Sequence, residues 1–302
     1  MKKLLFLTFT SAAALFLVLL PSAATASVVD LGAAGQFAML ALTGGIQDSG
    51  PTGPQADPYS VDGAIGVVTS GQKFQTSGSR MYNGPIYLHS GVTFNSSATV
   101  IPNPTMGPAV DSLLVQARND AIAASNFAAS LAATATYGTI NNTLTISEAN
   151  NGHYVFDIGS INFSGGKVLT LNGTANSTFL LNVSGSITLS PGSILLSGGL
   201  TSNNVLINYT GTQTINTSGG ANSSQIFGTI LAPNAMVNMT PGYVQGSIIA
   251  GSINLASGAN IIPVPEVTPS SVIFGFLGLL VAFSSRRALA SRLRPATIRN
   301  SR

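Results

Sequence analysis

Four short segments of this 302-residue chain repeat one phrase, two residues, a glycine, any residue and an isoleucine. They are Val61-Asp62-Gly63-Ala64-Ile65, Tyr82-Asn83-Gly84-Pro85-Ile86, Ile226-Phe227-Gly228-Thr229-Ile230 and Val244-Gln245-Gly246-Ser247-Ile248. A period near 20 residues, with a strand, a glycine turn and another strand, is what a β-solenoid requires. No single coil buries its apolar side alone, and stacked neighbours complete the core. A second phrase, an apolar–polar–apolar triplet, appears as Val92-Thr93-Phe94, Ile187-Thr188-Leu189, Val237-Asn238-Met239 and Ile253-Asn254-Leu255. Alternation with period two puts its outer residues on one side of a strand and the central polar residue on the other. A β-sandwich of short strands is the competing arrangement.

One stretch breaks the β pattern. Residues 109–133 hold no Gly or Pro, and Val110, Leu113, Leu114, Ala117, Ala121, Ala124, Phe127, Ala128 and Leu131 recur at three- and four-residue steps. That is one apolar stripe on a long helix, with Pro108 suited to its first turn and Gly138 beyond its end. The stripe is expected to pack along the solenoid.

The two ends of the chain read as address labels. Lys2 and Lys3, an apolar core over 4–20 and Ala24-Thr25-Ala26 form a secretory signal peptide over residues 1–26. Residues 263–302 carry Val264-Pro265-Glu266, an apolar run from Val272 to Phe283, and a basic end with Arg286 and Arg287. This tail resembles the PEP-CTERM sorting signal of Gram-negative bacteria, with Val267 standing where that motif has a second proline. The resemblance implies export to the cell envelope, surface or extracellular matrix, with the tail crossing the membrane as a helix before processing. Its 12 apolar residues are short for an ordinary span of about 20.

Between these labels, residues 27–262 form the expected domain. From Ser27 to Pro265 there are only four Lys and Arg against eight Asp and Glu, a net of −4. The basic balance of the whole chain thus belongs to its ends, and the body has no clustered cationic footprint for nucleic acid. The chain has no cysteine, so burial and strand pairing must hold the fold. His89 and His153 have no neighbour at metal-ligand spacing, and the carboxylates are scattered singly. No catalytic, cofactor or metal site is read from the sequence, and no enzyme is expected.

Coils, one helix and more coils resemble the secreted ice-binding-like family, a discontinuous right-handed β-helix with an α-helix along its side. The residues that carry this are 29–40, Val-Asp-Leu-Gly-Ala-Ala-Gly-Gln-Phe-Ala-Met-Leu, and 61–67. The stretches 228–235 and 246–250 resemble the choice-of-anchor A group, whose members carry surface-anchoring tails. Two functions follow. One is a non-enzymatic structural or adhesive protein, sorted by its tail and offering polar faces to exopolysaccharide or cell-surface carbohydrate. The alternative is ice binding through a flat Thr/Ser/Asn side of the solenoid. Outward candidates for ice or carbohydrate are Thr93, Thr188, Thr229, Asn238, Ser247 and Asn254.

Overall fold

The computed structural model describes residues 29–50, 60–78, 80–98, 101–219, 224–256 and 258–264. The signal peptide, residues 265–302 and the terminal apolar helices expected there lie outside the described residues, as do Pro265, Glu266, Arg286 and Arg287 of the sorting motif. Among the described residues no helix is long and apolar enough to cross a membrane.

The strand ladders are all parallel, and they stack into three faces of a solenoid. Face A runs, in spatial order, through Ile86–Leu88, Ala64–Val67, Phe37–Ala41, the start of Ile248–Leu255, the start of Thr229–Thr240, Val205–Tyr209, Thr178–Val183, the start of His153–Asn172 and Ala135–Ile140. Face B stacks Thr93–Ser96, Lys73–Ser77, Ile46–Ser49, the ends of Ile248–Leu255 and Thr229–Thr240, Ile215–Ser218, the start of Ile187–Ser197 and the middle of His153–Asn172. Face C joins Leu144–Ser147, the ends of His153–Asn172 and Ile187–Ser197, Gln225–Phe227, Tyr243–Gln245 and Asn260–Ile262. A separate pair, Ser60–Val61 with Met81–Tyr82, lies beyond Asn260–Ile262.

The winding is discontinuous, as expected. The chain starts in mid-stack at Phe37–Ala41 and winds outward to Thr93–Ser96. It then crosses to the far end through the helix and winds back until Ile248–Leu255 pairs with Phe37–Ala41, Met39 opposite Ile248. The first and last coils therefore meet without covalent continuity, and side-chain and ladder contacts alone hold that joint.

The glycine repeat marks one corner of the coil. Val61, Tyr82, Ile226 and Val244 point inward before it, and Ile65, Ile86, Ile230 and Ile248 point inward after it, all in one core cluster. The paired isoleucines sit opposite each other, Ile65 on Ile86 and Ile230 on Ile248. At the corner the backbones nearly touch. A Cβ on Gly84 would lie 1.9 Å from Gly63 O, and one on Gly246 would lie 2.2 Å from Gly228 O. Gly63, Gly228 and Gly246 also have φ of 137°, 136° and 147°, which L side chains avoid. Close approach and backbone sign together fix glycine there.

The helix spans Pro108–Ser130 rather than 109–133. Its end is set by tertiary pairing, not by Gly138. Leu131 is extended, and Thr134 N donates to Val155 O to start the next strand. At 1.5 Å per residue the 23 residues reach ~34 Å, close to the ~38 Å that nine rungs of parallel strand require. Val110, Leu114, Ala117, Ala121, Ala124 and Ala128 are buried against Phe37, Leu40, Leu180, Leu206, Leu231 and Ile249, the outward residues of face A. Alanine at this seam lets the helix lie close. Phe127 departs from the expected stripe and is 50% exposed, because Ser125 takes the buried position beside it. Ser125 Oγ donates to Asn208 Oδ1 at 2.6 Å, and Asn182 Nδ2 donates to Ala128 O at 2.9 Å. In the middle of the helix, Asp120 Oδ2 accepts from Ala33 N at 2.8 Å, and Gly32 (φ 54°) leaves room for that carboxylate.

Candidate functional site

With face A under the helix, faces B and C remain. Face C carries half-exposed Tyr243 and Phe227, whose rings stand 5.8 Å apart, and Ile262 at 43% exposure. Face B differs in kind. Its inward positions are Phe94, Phe74, Ile46, Ile253, Val237, Ile215, Ile187 and Ile161, all in the core cluster or packed against it. The residue that follows each of them points outward.

Those outward residues form one unbroken rank across eight strands, Asn95, Gln75, Gln47, Asn254, Asn238, Asn216, Thr188 and Asn162, each directly opposite the next. Seven are amides. Asn254 Nδ2 donates to Asn238 Oδ1 at 2.6 Å, and Asn238 Nδ2 donates to Asn216 Oδ1 at 3.0 Å. Asn238 thus uses one donor and one acceptor in the ladder and keeps a second amide hydrogen and lone pair for solvent. The rank crosses the joint between first and last coils, at Gln47 and Asn254, without a break.

A second rank runs two residues further along the strands. Ser164 and Ser190 are opposite, Ser190 Oγ and Ser218 Oγ are 2.6 Å apart, and Ser218 faces Thr240. Past Ala256 it continues as Ser49 opposite Ser77. The register irregularities of the ladders fall on face A or at corners, between Phe37 and Met39, Ser164 and Lys167, and Ala232 and Met236, so face B keeps its register. Parallel-strand geometry makes this a grid of about 4.8 Å between rungs and about 6.6 Å between ranks. Within the face B segments, Lys73 is the one charged side chain pointing outward, since Asp48 is buried.

Of the six expected outward residues, Thr188, Asn238 and Asn254 belong to the central rank. Thr93 lies on the same face but one step aside, opposite Lys73, and Asn95 holds the central position on that strand. The apolar–polar–apolar phrase is out of register there because Phe94, not Val92, is the residue opposite Phe74. Thr229 and Ser247 are not on this face. They belong to face A, at 6% and 7% exposure, where Thr229 stands opposite Leu206 under the helix. Sequence reasoning missed Asn162, Asn216, Gln47, Gln75 and Asn95. Their signal was the same alternation, hidden by lack of the register between distant coils.

The ionisable residues are dispersed. Asp48 pairs with buried Arg80, Nε to Oδ2 at 2.6 Å, and accepts from Tyr82 OH at 2.5 Å. Asp62 accepts from Asn83, Asp111 from Ser90 N, and Asp120 from Ala33 N and Gln116. The Ser90 amide holds the Asp111 carboxyl below its ordinary value. His89 Nδ1 is 2.7 Å from Ser90 O, and His153 Nδ1 is 2.7 Å from Thr178 Oγ1. Among the described residues no three His, Cys, Asp or Glu gather closely enough to hold a metal.

A family model described as a putative ice-binding-like adhesive domain matches residues 28–261. Among solved structures, an ice-binding protein from an Arctic yeast is 20% identical over 80% of this chain and 97% of that chain, with a TM-score of 0.51. An ice binding protein from an Antarctic bacterium, Flavobacteriaceae, is 17% identical over 82% of this chain but 52% of that chain, with a TM-score of 0.51. At such identities the likeness concerns the fold. No curated protein matches.

Proposed function

The chain belongs to the ice-binding-like adhesive domain family, and we propose that it binds ice through face B. The unbroken amide rank carries this reading. Freezing water onto a protein surface requires many hydrogen-bonding groups held still at regular spacing, because each mobile side chain would lose rotamer freedom on binding. The ladder bonds between Asn254, Asn238 and Asn216 already hold the rotamers at the centre of the rank. The near absence of charge matters equally, since a charged group keeps its own hydration shell. The ice-binding names of the structural neighbours support the same reading, the alternative to an adhesive role that the repeats suggest.

The test is growth of single ice crystals in the purified protein. Faceted crystals, a gap between melting and freezing points, and slowed recrystallisation are expected. Unshaped growth at high protein concentration would overturn the assignment.

The structural and adhesive reading concerns where face B is displayed. The tail motif Val264-Pro265-Glu266, with Arg286 and Arg287, supports export and sorting to the envelope, surface or matrix, with the apolar run as a membrane partner before processing. On this reading, deleting residues 264–302 moves the protein from the envelope fraction into periplasm or medium. Unchanged envelope association of the deletion, seen by fractionation and immunoblot, would refute it. No catalytic step enters either reading.

A further inference from the structure

The helix ends before the solenoid does, and this leaves a groove at the far end of face A. Along that face the outward rank reads Asn208, Asn182, Asp157 and Thr136, each opposite the next. The helix covers the first two through Ser125 and Ala128. At Leu131 the chain turns inward to form the last rung, so Asp157 and Thr136 stay uncovered. The open space beyond the helix end is about 350 Å³, lined by Thr136, Tyr137, Asp157, Asn182, Ser184 and Thr210 among others. That volume lies at the lower end of the range typical of small-ligand sites.

We propose that this groove is a saccharide subsite for a single neutral sugar ring. A carboxylate offers several lone-pair positions and can accept from two neighbouring hydroxyls of a sugar. The hydroxyls of Thr136, Ser184 and Thr210 can both donate and accept, which suits a ligand whose groups do the same. The Tyr137 ring packs toward the core beside Phe156, 6.3 Å between centroids, so recognition rests on the polar groups. No Lys or Arg lines the groove, so phosphate and uronate ligands lack a counter-charge and would meet Asp157 directly. The carboxylate itself is braced, because Asn208 Nδ2 donates to Asn182 Oδ1 at 2.9 Å and Asn182 Nδ2 lies 3.3 Å from Asp157 Oδ1. The site is on a different face from the amide rank and does not depend on ice binding.

Saturation-transfer NMR and titration calorimetry with glucose, galactose, mannose and N-acetylglucosamine test this on the purified protein. At least one of the four is expected to bind saturably, with a Kd on the order of 1 mM. Asp157→Ala and Thr136→Val should each weaken that binding about five- to tenfold, the effect of losing a hydrogen bond. Thr136 is exposed on the end strand, so its variant remains informative if Asp157→Ala lowers the melting temperature. Ice shaping should be unchanged in both. Absence of saturable binding for all four sugars, or binding that survives both substitutions, would overturn the proposal.

Discussion

Replacing Arg80 by methionine is expected to destabilise the protein by about 3–5 kcal/mol near neutral pH, the cost of leaving a buried charge without its partner. The melting temperature should fall by roughly 10 °C for a domain of this size. Arg80 is fully buried, its Nη2 donates to Ala259 O at 2.7 Å, and its Nε pairs with Asp48. Asp48 belongs to an early coil and Ala259 to the last one, so this cluster clasps the joint where chain continuity is missing. Burial pushes the Asp48 carboxyl above its ordinary value of 3.8, more than Arg80 and Tyr82 pull it back. A raised folded-state pKa means that folding favours the protonated carboxyl. Its contribution is fullest below the ordinary carboxylate range and is lost as pH rises through the folded value. Removing Arg80 takes away the main opposing charge, so the deficit in Arg80→Met should widen as pH increases from about 4 to 7. The double variant Arg80→Met, Asp48→Leu should cost less than the sum of its singles, since neither charge is then left unpaired. Thermal unfolding followed by circular dichroism at several pH values measures all of this. A loss below about 1 kcal/mol at pH 7 for Arg80→Met would show that the clasp does not hold the joint.

The corner glycines explain how much of the architecture could be read from the sequence. Gly84, Gly228 and Gly246 are required by backbone contact within one corner and Gly63 by its φ of 137°, so the coil period is written locally and survives wherever a coil recurs. The helix is legible for the same reason, because its alanine seam is periodic. The outward rank of face B is harder to read, since its order is nonlocal. Gln47 and Asn254 are neighbours only because the last coil docks on the first. Asn162 sits inside His153–Asn172, a 20-residue strand that serves all three faces, and nothing local says which segment meets Thr188. Alternation correctly assigns Thr229 to the outside of its strand, but only the packed helix reveals that this outside is buried. Phe127 shows the converse, an apolar residue displaced from the seam by the Ser125–Asn208 bond.

The largest functional effect should come from a charge placed in the middle of face B. Asn238→Lys is expected to abolish ice shaping while moving the melting temperature by no more than about 2 °C, as a partly exposed position allows. Three losses coincide at this one position. Asn254 and Asn216 each lose their ladder partner, which frees the Asn254 amide most, since Asn216 Nδ2 still donates to Thr214 O. The lysine ammonium retains its water shell, and its long stem covers adjacent rungs. Thr170→Lys, outward on face C between Thr145 and Leu195, adds the same charge away from the rank and should leave ice growth as in the parent protein. Lys73→Ser, at the rim of face B, should strengthen the effect by extending the uncharged area over another rung. Crystal morphology and the freezing–melting gap, measured on the three variants at equal concentration, separate these outcomes. If Asn238→Lys and Thr170→Lys behave alike, the amide rank is not the surface that meets ice, because a general charge effect would explain both.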